Sequence, residues 1–88
     1  MYLHLGQDTV VRFRDIIGIF DIENASISKF TKEFLRSSEQ SLQVVNVSYE
    51  LPKSFIVCQS EDKITVFISQ ISPATLKKRV HQAQLFSY

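Results

Sequence analysis

Residues 54–69 read SFIVCQSEDKITVFIS and contain the clearest secondary-structure signal in the 88-residue chain. Two runs rich in β-branched and aromatic residues, SFIVCQ and ITVFIS, are separated by the polar residues SEDK. Such runs favour extended backbone, and a short polar connection between them is typical of a β-hairpin. The stretch therefore predicts two antiparallel strands, with Cys58 as a small buried apolar residue in the first of them.

The segment after this hairpin, ISPATLKKRVHQAQ, predicts a helix. Ser72 is a good capping residue and Pro73 suits the first helical position, which is a specific start signal. The apolar side of this helix consists of Leu76, Val80 and Ala83, and positive charge from Lys77, Lys78 and Arg79 occupies the remainder.

A second β signal lies in residues 10–22, VVRFRDIIGIFDI. Val11 and Phe13 alternate with Arg12 and Arg14, the period of a half-buried strand, so we expect the two arginines to share one face. They then either contact a partner or keep that face solvated.

The second half of this segment is apolar on both sides. A strand of that kind must be covered on both faces, by a central position in a sheet or by another subunit, and in so small a chain the second subunit is favoured. The residues predicted to form this oligomer interface are Ile16, Ile17, Ile19, Phe20 and Ile22.

Residues 23–40, ENASISKFTKEFLRSSEQ, predict the main helix, with Asn24 or Ser26 as its cap. Its apolar stripe would consist of Ile27, Phe30, Phe34 and Leu35. On the outer side Lys29, Lys32 and Arg36 align, which is either a solvated face, with Glu33 pairing with Lys29, or a weak phosphate-binding surface.

The whole pattern is β, β, α, β, β, β, α, with a tight turn at Gly6 and a loop at Pro52, which cannot donate to a strand ladder. It predicts an α+β fold: a small single domain with a mainly antiparallel sheet and two helices. A chain of this length buries a modest core, so assembly into a homo-oligomer is expected.

Composition excludes several classes of function. The formal net charge of +1 gives no overall argument for binding to nucleic acid or to a membrane surface. No apolar stretch suits a signal peptide or a membrane span, so we expect a cytoplasmic protein without membrane contact. The lone cysteine fits a reducing compartment. His4 and His81 lack metal-ligand spacing, and two distant glycines cannot form a phosphate loop. Catalysis, a metal, a cofactor and a small-molecule substrate are therefore not expected.

Several segments together resemble the RemA/RemB family of extracellular matrix regulatory proteins of Gram-positive bacteria, RemB in particular. They are YLHLGQD, RDIIGIFD, SISKFTKEFL, ELPKSFIV and ISPATLKKR, of which LPKSF and ISPATL are the most particular. The resemblance covers residues 1–81 and leaves residues 82–88 as a C-terminal tail.

The resemblance implies a cytoplasmic DNA-binding regulator of biofilm matrix genes, closed into a ring of identical subunits whose surface arginines contact bent DNA. Two positions depart from the family pattern. Where RemA-like proteins have an arginine near the start of the 15–20 strand, this chain has Asp15 preceded by Arg14, and an arginine-rich loop is replaced by residues 49–53, YELPK.

Two hypotheses follow. In the first, a ring-forming regulator binds double-stranded DNA through phosphate contacts from Arg12, Arg14 and Lys53, with Lys29 and Lys32 as weaker contacts. In the second, the chain is a structural or interaction protein that assembles with itself or a related regulator, and its basic groups only keep it soluble.

Overall fold

A computed structural model describes residues 1–26, 29 and 41–85 of the chain. A two-stranded sheet pairs β1 with β2, and a four-stranded sheet has the order β3-β5-β6-β4. The elements are β1 (Tyr2–Gly6), β2 (Thr9–Arg12), a 3-10 turn (Phe13–Asp15), β3 (Ile16–Asp21), β4 (Ser41–Asn46), β5 (Ser54–Ser60), β6 (Lys63–Ser69) and helix α1 (Pro73–Leu85). The domain is small and mostly sheet, and α1 is the α-helix whose bounds lie within the described residues.

The predicted helix over 23–40 falls mainly outside the described residues, and Lys32 falls outside with it. Its start is described, because the backbone N–H of Lys29 donates to Oγ of Ser26 over 3.2 Å. This is the bond that an N-cap side chain makes to the third helical residue, so Ser26 has the geometry predicted for a cap.

The hairpin predicted at 54–69 is confirmed. β5 and β6 pair antiparallel without interruption from Ser54 opposite Ser69 to Ser60 opposite Lys63. The turn is shorter than the predicted SEDK connection, since only Glu61 and Asp62 lie between the strands, and Glu61 adopts a left-handed φ of 56°.

Strand β5 is buried on both faces within this one chain. Phe55 and Val57 point into one core, together with Ile64 and Val66 of β6. On the other face, Ile56 and Cys58 join a second core with residues of β1, β2 and α1, namely Leu3, Leu5, Val11 and Leu76. The continuous apolar run of β5 thus matches a central position between two cores.

The helix start predicted at Ser72 and Pro73 is confirmed. Ser72 Oγ accepts a hydrogen bond of 3.2 Å from the N–H of Thr75, and α1 begins at Pro73. Leu76 is fully buried and Val80 is half-buried against the same core, while Lys77, Lys78 and Arg79 are exposed. The sheet is mainly antiparallel as predicted, with one parallel pairing between β4 and β6.

The prediction that Arg12 and Arg14 share one strand face is wrong. β2 ends at Arg12, and the chain turns through a 3-10 segment that contains Arg14. The turn is held by an ion pair of 2.7 Å between Nε of Arg12 and Oδ2 of Asp15. A backbone bond of 3.0 Å from the Phe13 N–H to the carbonyl of Met1 holds it from the other side. A local charge pair therefore overrides the alternating pattern.

Strand β3 lies at the edge of the four-stranded sheet rather than at its centre. Its pairing with β5 shifts between Ile16, opposite Cys58, and Gly18, opposite Val57. A bulge of this kind leaves one residue unpaired, here Ile17, which is 47% exposed.

The bulge also explains how the apolar residues of β3 are covered. Ile16 and Ile19 pack against the core that includes α1, and Phe20 and Ile22 pack against the other core. Four of the five predicted interface residues are thus partly covered by their own chain. Ile17 is the member of this set that its own chain leaves most exposed. The prediction that a second subunit covers the strand therefore rests chiefly on Ile17.

Gly18 is required by the ring of Phe20. A Cβ placed at Gly18 would lie 2.6 Å from Cζ of Phe20, which is closer than side-chain atoms approach. The Phe20 ring in turn stacks on Phe55 with 5.0 Å between ring centres and 18° between ring planes. The edge strand is fixed to the centre of the sheet through this aromatic pair.

Candidate nucleic-acid interface

Arg12 is committed to contacts within the chain. Besides its bond to Asp15, its Nη2 donates to Oγ of Ser60 over 3.3 Å. The side chain remains 39% exposed, so the pair is partly screened by solvent. The main effect of Arg12 is to hold the turn at the end of β2, because its charge is compensated by the adjacent carboxylate.

Arg14 differs from Arg12 in that no neighbouring carboxylate in the described part of the chain compensates its charge. It occupies the middle of the 3-10 turn and is exposed. Among the described residues it has no hydrogen-bond or ion-pair partner, and its guanidinium can donate in a bidentate fork to a phosphate oxygen pair. Of the predicted phosphate contacts, Arg14 has the geometry of a free donor on a fixed turn.

Lys53 is also exposed, and its backbone is held on both sides. Its N–H donates to the carbonyl of Ser69 over 2.9 Å, and its own carbonyl accepts from the N–H of Ile22 over 3.2 Å. This places Lys53 beside the end of β3, whereas Arg14 precedes its start. A strand advances about 3.3 Å per residue, so the two side chains originate roughly 20 Å apart.

The structure therefore does not bring the predicted basic residues together. Arg12 and Arg14 lie at one end of β3 and Lys53 lies at the other. Lys29 is exposed just after the Ser26 cap. No single surface of the described part holds all of these charges.

Helix α1 carries a basic surface whose residues were not among the predicted phosphate contacts. Lys77, Lys78 and Arg79 are all exposed, and residues 73–85 contain no acidic side chain. Arg79 reaches β1, where its Nη1 donates to the carbonyl of His4 over 3.3 Å. The signal was the KKR run itself, but from sequence such a run cannot be told from a solvated helix face.

An apolar hollow of about 330 Å³ lies between α1 and β3. Its walls are largely hydrophobic, and one basic side chain, Lys77, stands among them. The residues that line this α1–β3 hollow are Phe13, Ile16, Gly18, Ile19, Lys77 and Val80. Because Phe13 is followed directly by Arg14, the hollow borders the turn that presents the free arginine.

A smaller hollow of about 220 Å³ lies beside the Arg12–Asp15 pair and includes Cys58 in its wall. Burial raises the pKa of the Cys58 thiol from 9.0 to about 12, and the negative charge of Asp15 adds to the rise. The thiol is therefore neutral at physiological pH and behaves as a small apolar group.

Two classes of site are absent from the part of the chain that the structure describes. It contains no group of three or more histidine, cysteine or carboxylate side chains placed to hold a metal ion. None of its helices has the length and apolar character needed to cross a membrane.

Comparison with known proteins gives two matches over nearly the whole chain. The model of the RemA-like family, described as extracellular matrix regulatory protein A-like, matches residues 2–80. The chain is also 43% identical over 79 residues to extracellular matrix regulatory protein B of Bacillus subtilis strain 168, which covers 90% of this chain and 89% of that protein. The family match runs from the first residue of β1 into α1, so it includes the 3-10 turn, β3 and the hairpin.

Proposed function

Because the chain belongs to the RemA-like family of extracellular matrix regulatory proteins, we propose that it regulates matrix genes by binding double-stranded DNA as a ring-shaped homo-oligomer. Arg14 and Lys53 are the main phosphate contacts in this proposal, and Arg12, Lys29 and Lys32 are secondary ones. The match to the family over residues 2–80 is the observation that carries the proposal. The protein acts in the cytoplasm without a cofactor, a substrate or a catalytic step.

Assembly is required by the electrostatics of one subunit. A formal charge of +1 gives little general attraction to DNA. The exposed cations at the two ends of β3 are roughly 20 Å apart and can reach only separate phosphates. Each phosphate contact releases counterions, and useful affinity comes from several contacts acting together. A ring repeats the two contacts of each subunit along one DNA path.

Arg12 has an indirect part in this proposal. Its bond to Asp15 fixes the turn on which Arg14 is displayed. A guanidinium held on a fixed turn loses less conformational entropy on binding than one on a mobile loop. The pair therefore positions Arg14, and Arg12 adds only a partly compensated charge.

Contacts of this type position DNA without reading its sequence, since phosphates are the same at every base pair. Any preference for particular promoters then arises from the cost of bending the DNA around the assembly. Flexible sequences should accordingly bind more tightly than stiff ones of the same length.

The experiment that tests the proposal is the affinity of the protein for a promoter-length duplex at several salt concentrations. The logarithm of the affinity should fall linearly with the logarithm of salt concentration, with a slope that reports the number of phosphate contacts. A flat response would contradict phosphate binding.

The variant Arg14→Ala should weaken binding to all duplex sequences alike and reduce the magnitude of the salt slope. Gln82→Ala is the matched control, because Gln82 is exposed and uncharged on α1. Arg14→Lys should retain only part of the affinity, since it keeps the positive charge but loses the bidentate geometry.

The second candidate is an assembly or interaction protein that does not bind DNA. It is favoured by the compensation of Arg12 by Asp15 and by the exposed apolar residues Tyr49 and Leu51 in the loop before the hairpin. Under this alternative, Arg12→Glu combined with Arg14→Glu leaves activity in cells intact, whereas Ile17→Asp abolishes assembly and activity. Loss of activity in the double arginine variant, with its assembly intact, favours DNA binding.

A further inference from the structure

The loop between β4 and β5, residues 47–53, is held in a fixed conformation. At its start the N–H of Val47 donates to the carbonyl of Ile68 over 2.9 Å, and at its end Lys53 is bonded to Ser69 and Ile22. Within it, the N–H of Glu50 donates to Oγ of Ser48 over 3.1 Å. Pro52 restricts the backbone further. The β4–β5 loop is therefore a rigid projection.

The tip of this loop exposes two large apolar side chains on either side of a carboxylate. Tyr49 is fully exposed, Leu51 is 82% exposed, and Glu50 lies between them and is also exposed. Single exposed apolar residues are common on protein surfaces. Two of them on a rigid loop form a preorganised contact group, because little conformational entropy remains to be lost on docking.

The α1–β3 hollow is complementary to this tip in polarity and in charge. Its walls are apolar apart from Lys77, and Lys78 and Arg79 add positive charge on the same helix. An apolar side chain beside a carboxylate fits such a site, because the side chain fills the hollow while the carboxylate meets the lysine.

We propose that the Tyr49–Leu51 tip of one copy docks in the α1–β3 hollow of another copy. Leu51 lies among Phe13, Ile19 and Val80, and Glu50 pairs with Lys77 of the neighbouring copy. This inference rests on the proposed function in so far as both require self-assembly, and it names the surfaces that assemble.

The docking is head-to-tail. The loop is bonded to Ile22, just beyond the end of β3, whereas the hollow borders the start of the same strand at Ile16. Because the tip and the hollow are different patches, one subunit uses both at once, with one neighbour on each side. A contact of this type closes into a ring when the rotation between subunits allows.

The docking also completes the basic site that a single chain leaves divided. Lys53 is two residues from Leu51, a span of about 7 Å of backbone, and Arg14 directly follows Phe13 in the wall of the hollow. Docking therefore places Lys53 of one copy near Arg14 of the next. Each junction between subunits gains a pair of phosphate contacts contributed by two copies.

The test is the mass in solution of Leu51→Asp over a range of concentrations, measured by light scattering after size exclusion. The substitution places a charge in the apolar hollow and should raise the dissociation constant for self-association by about 30-fold or more, the effect of losing a central contact. Its thermal midpoint should stay that of the parent chain, because Leu51 is exposed in one subunit. Val44→Asp is the control, since Val44 is an exposed apolar residue that belongs neither to the tip nor to the lining of the hollow.

Charge reversal tests the pairing of Glu50 with Lys77. Glu50→Lys and Lys77→Glu should each weaken self-association by about fivefold, and the double variant should recover most of the loss. A mixture of Leu51→Asp and Lys77→Glu gives a sharper result. The first retains an intact hollow and the second an intact tip, so the two variants should associate one-to-one more tightly than either associates with itself.

These outcomes separate this inference from the proposed function. Unchanged assembly of Leu51→Asp, or failure of the mixed variants to pair, overturns the docking while leaving the ring and its DNA contacts possible. A parent chain that is monomeric, with its hollow taken up by a different protein or by DNA, overturns both. Loss of assembly in Leu51→Asp without any affinity of the parent for DNA supports the docking and contradicts DNA binding.

Discussion

The centre and the edge of the four-stranded sheet follow different rules. The β5–β6 hairpin pairs without interruption, and β5 is buried on both faces by its own chain. Strand β3 at the edge is preceded by a 3-10 turn and contains a bulge at Ile17. The irregular edge borders the apolar hollow and the free arginine. The centre therefore provides stability, while the edge provides the surfaces proposed for docking and for DNA.

The largest expected difference between the two regions is in stability. Phe55→Ala at the centre should lower the free energy of unfolding by about 3–5 kcal/mol, because it leaves a cavity in a fully buried core. Ile17→Ala at the edge should cost less than about 1 kcal/mol, since the side chain is nearly half exposed. Urea denaturation of the two variants measures both. Equal costs would contradict the division between centre and edge.

Gly18→Ala tests the connection between the two regions. The added Cβ collides with the ring of Phe20, which is itself stacked on Phe55, so the expected loss is about 1–3 kcal/mol. The double variant Gly18→Ala with Phe20→Leu should lose less than the sum of the two single changes, because the smaller side chain removes the collision. Strict additivity in a double-mutant cycle would show that the ring does not determine the need for glycine.

Substitution of Ser69 at the end of the hairpin should have an effect of similar size. Its buried Oγ donates to the carbonyl of Leu5 over 2.7 Å and accepts from the N–H of Ile71 over 3.0 Å. Ser69→Ala leaves both backbone groups without this partner and should cost about 1–3 kcal/mol. Gln43→Ala is the control on the exposed face of β4 and should stay within about 0.5 kcal/mol. A similar cost for both would argue against this bond joining β1 to the sheet.

The smallest effect concerns Cys58 and appears only at high pH. Its pKa is about 12 in the folded chain and 9.0 for the free group, so between these values the unfolded chain binds fewer protons than the folded one. Stability should therefore fall as pH rises from about 9 towards 12, with no contribution from Cys58 below pH 9. Urea midpoints at pH 8, 9 and 10 should decline less in Cys58→Ala than in the parent. An identical decline would show that Cys58 does not contribute.

Sequence predicted the regions whose local signals agree with their tertiary surroundings. The hairpin had β-rich runs on both sides of a polar turn, and α1 had Ser72 followed by Pro73, so both were located correctly. Cys58 was correctly expected to be buried. In each case a few neighbouring residues determine the structure.

Sequence failed where one tertiary or charge contact overrides a periodic pattern. The alternation around Arg12 and Arg14 indicated a strand, but the bond from Arg12 to Asp15 favours a turn there. No spacing rule indicates the bulge at Ile17 or the contact of the Phe20 ring with Gly18. The α1–β3 hollow combines residues more than 50 positions apart, so the composite site could not be read from the order of residues.

The proposed function has two parts, self-assembly and binding of DNA phosphates by the assembled protein. Both are tested by the mass of the purified protein in light scattering, measured with and without a promoter-length duplex. A multimeric protein that forms a complex of larger mass at low salt and releases the duplex at high salt is the predicted result. A monomer whose mass does not change when DNA is added would contradict both self-assembly and DNA binding.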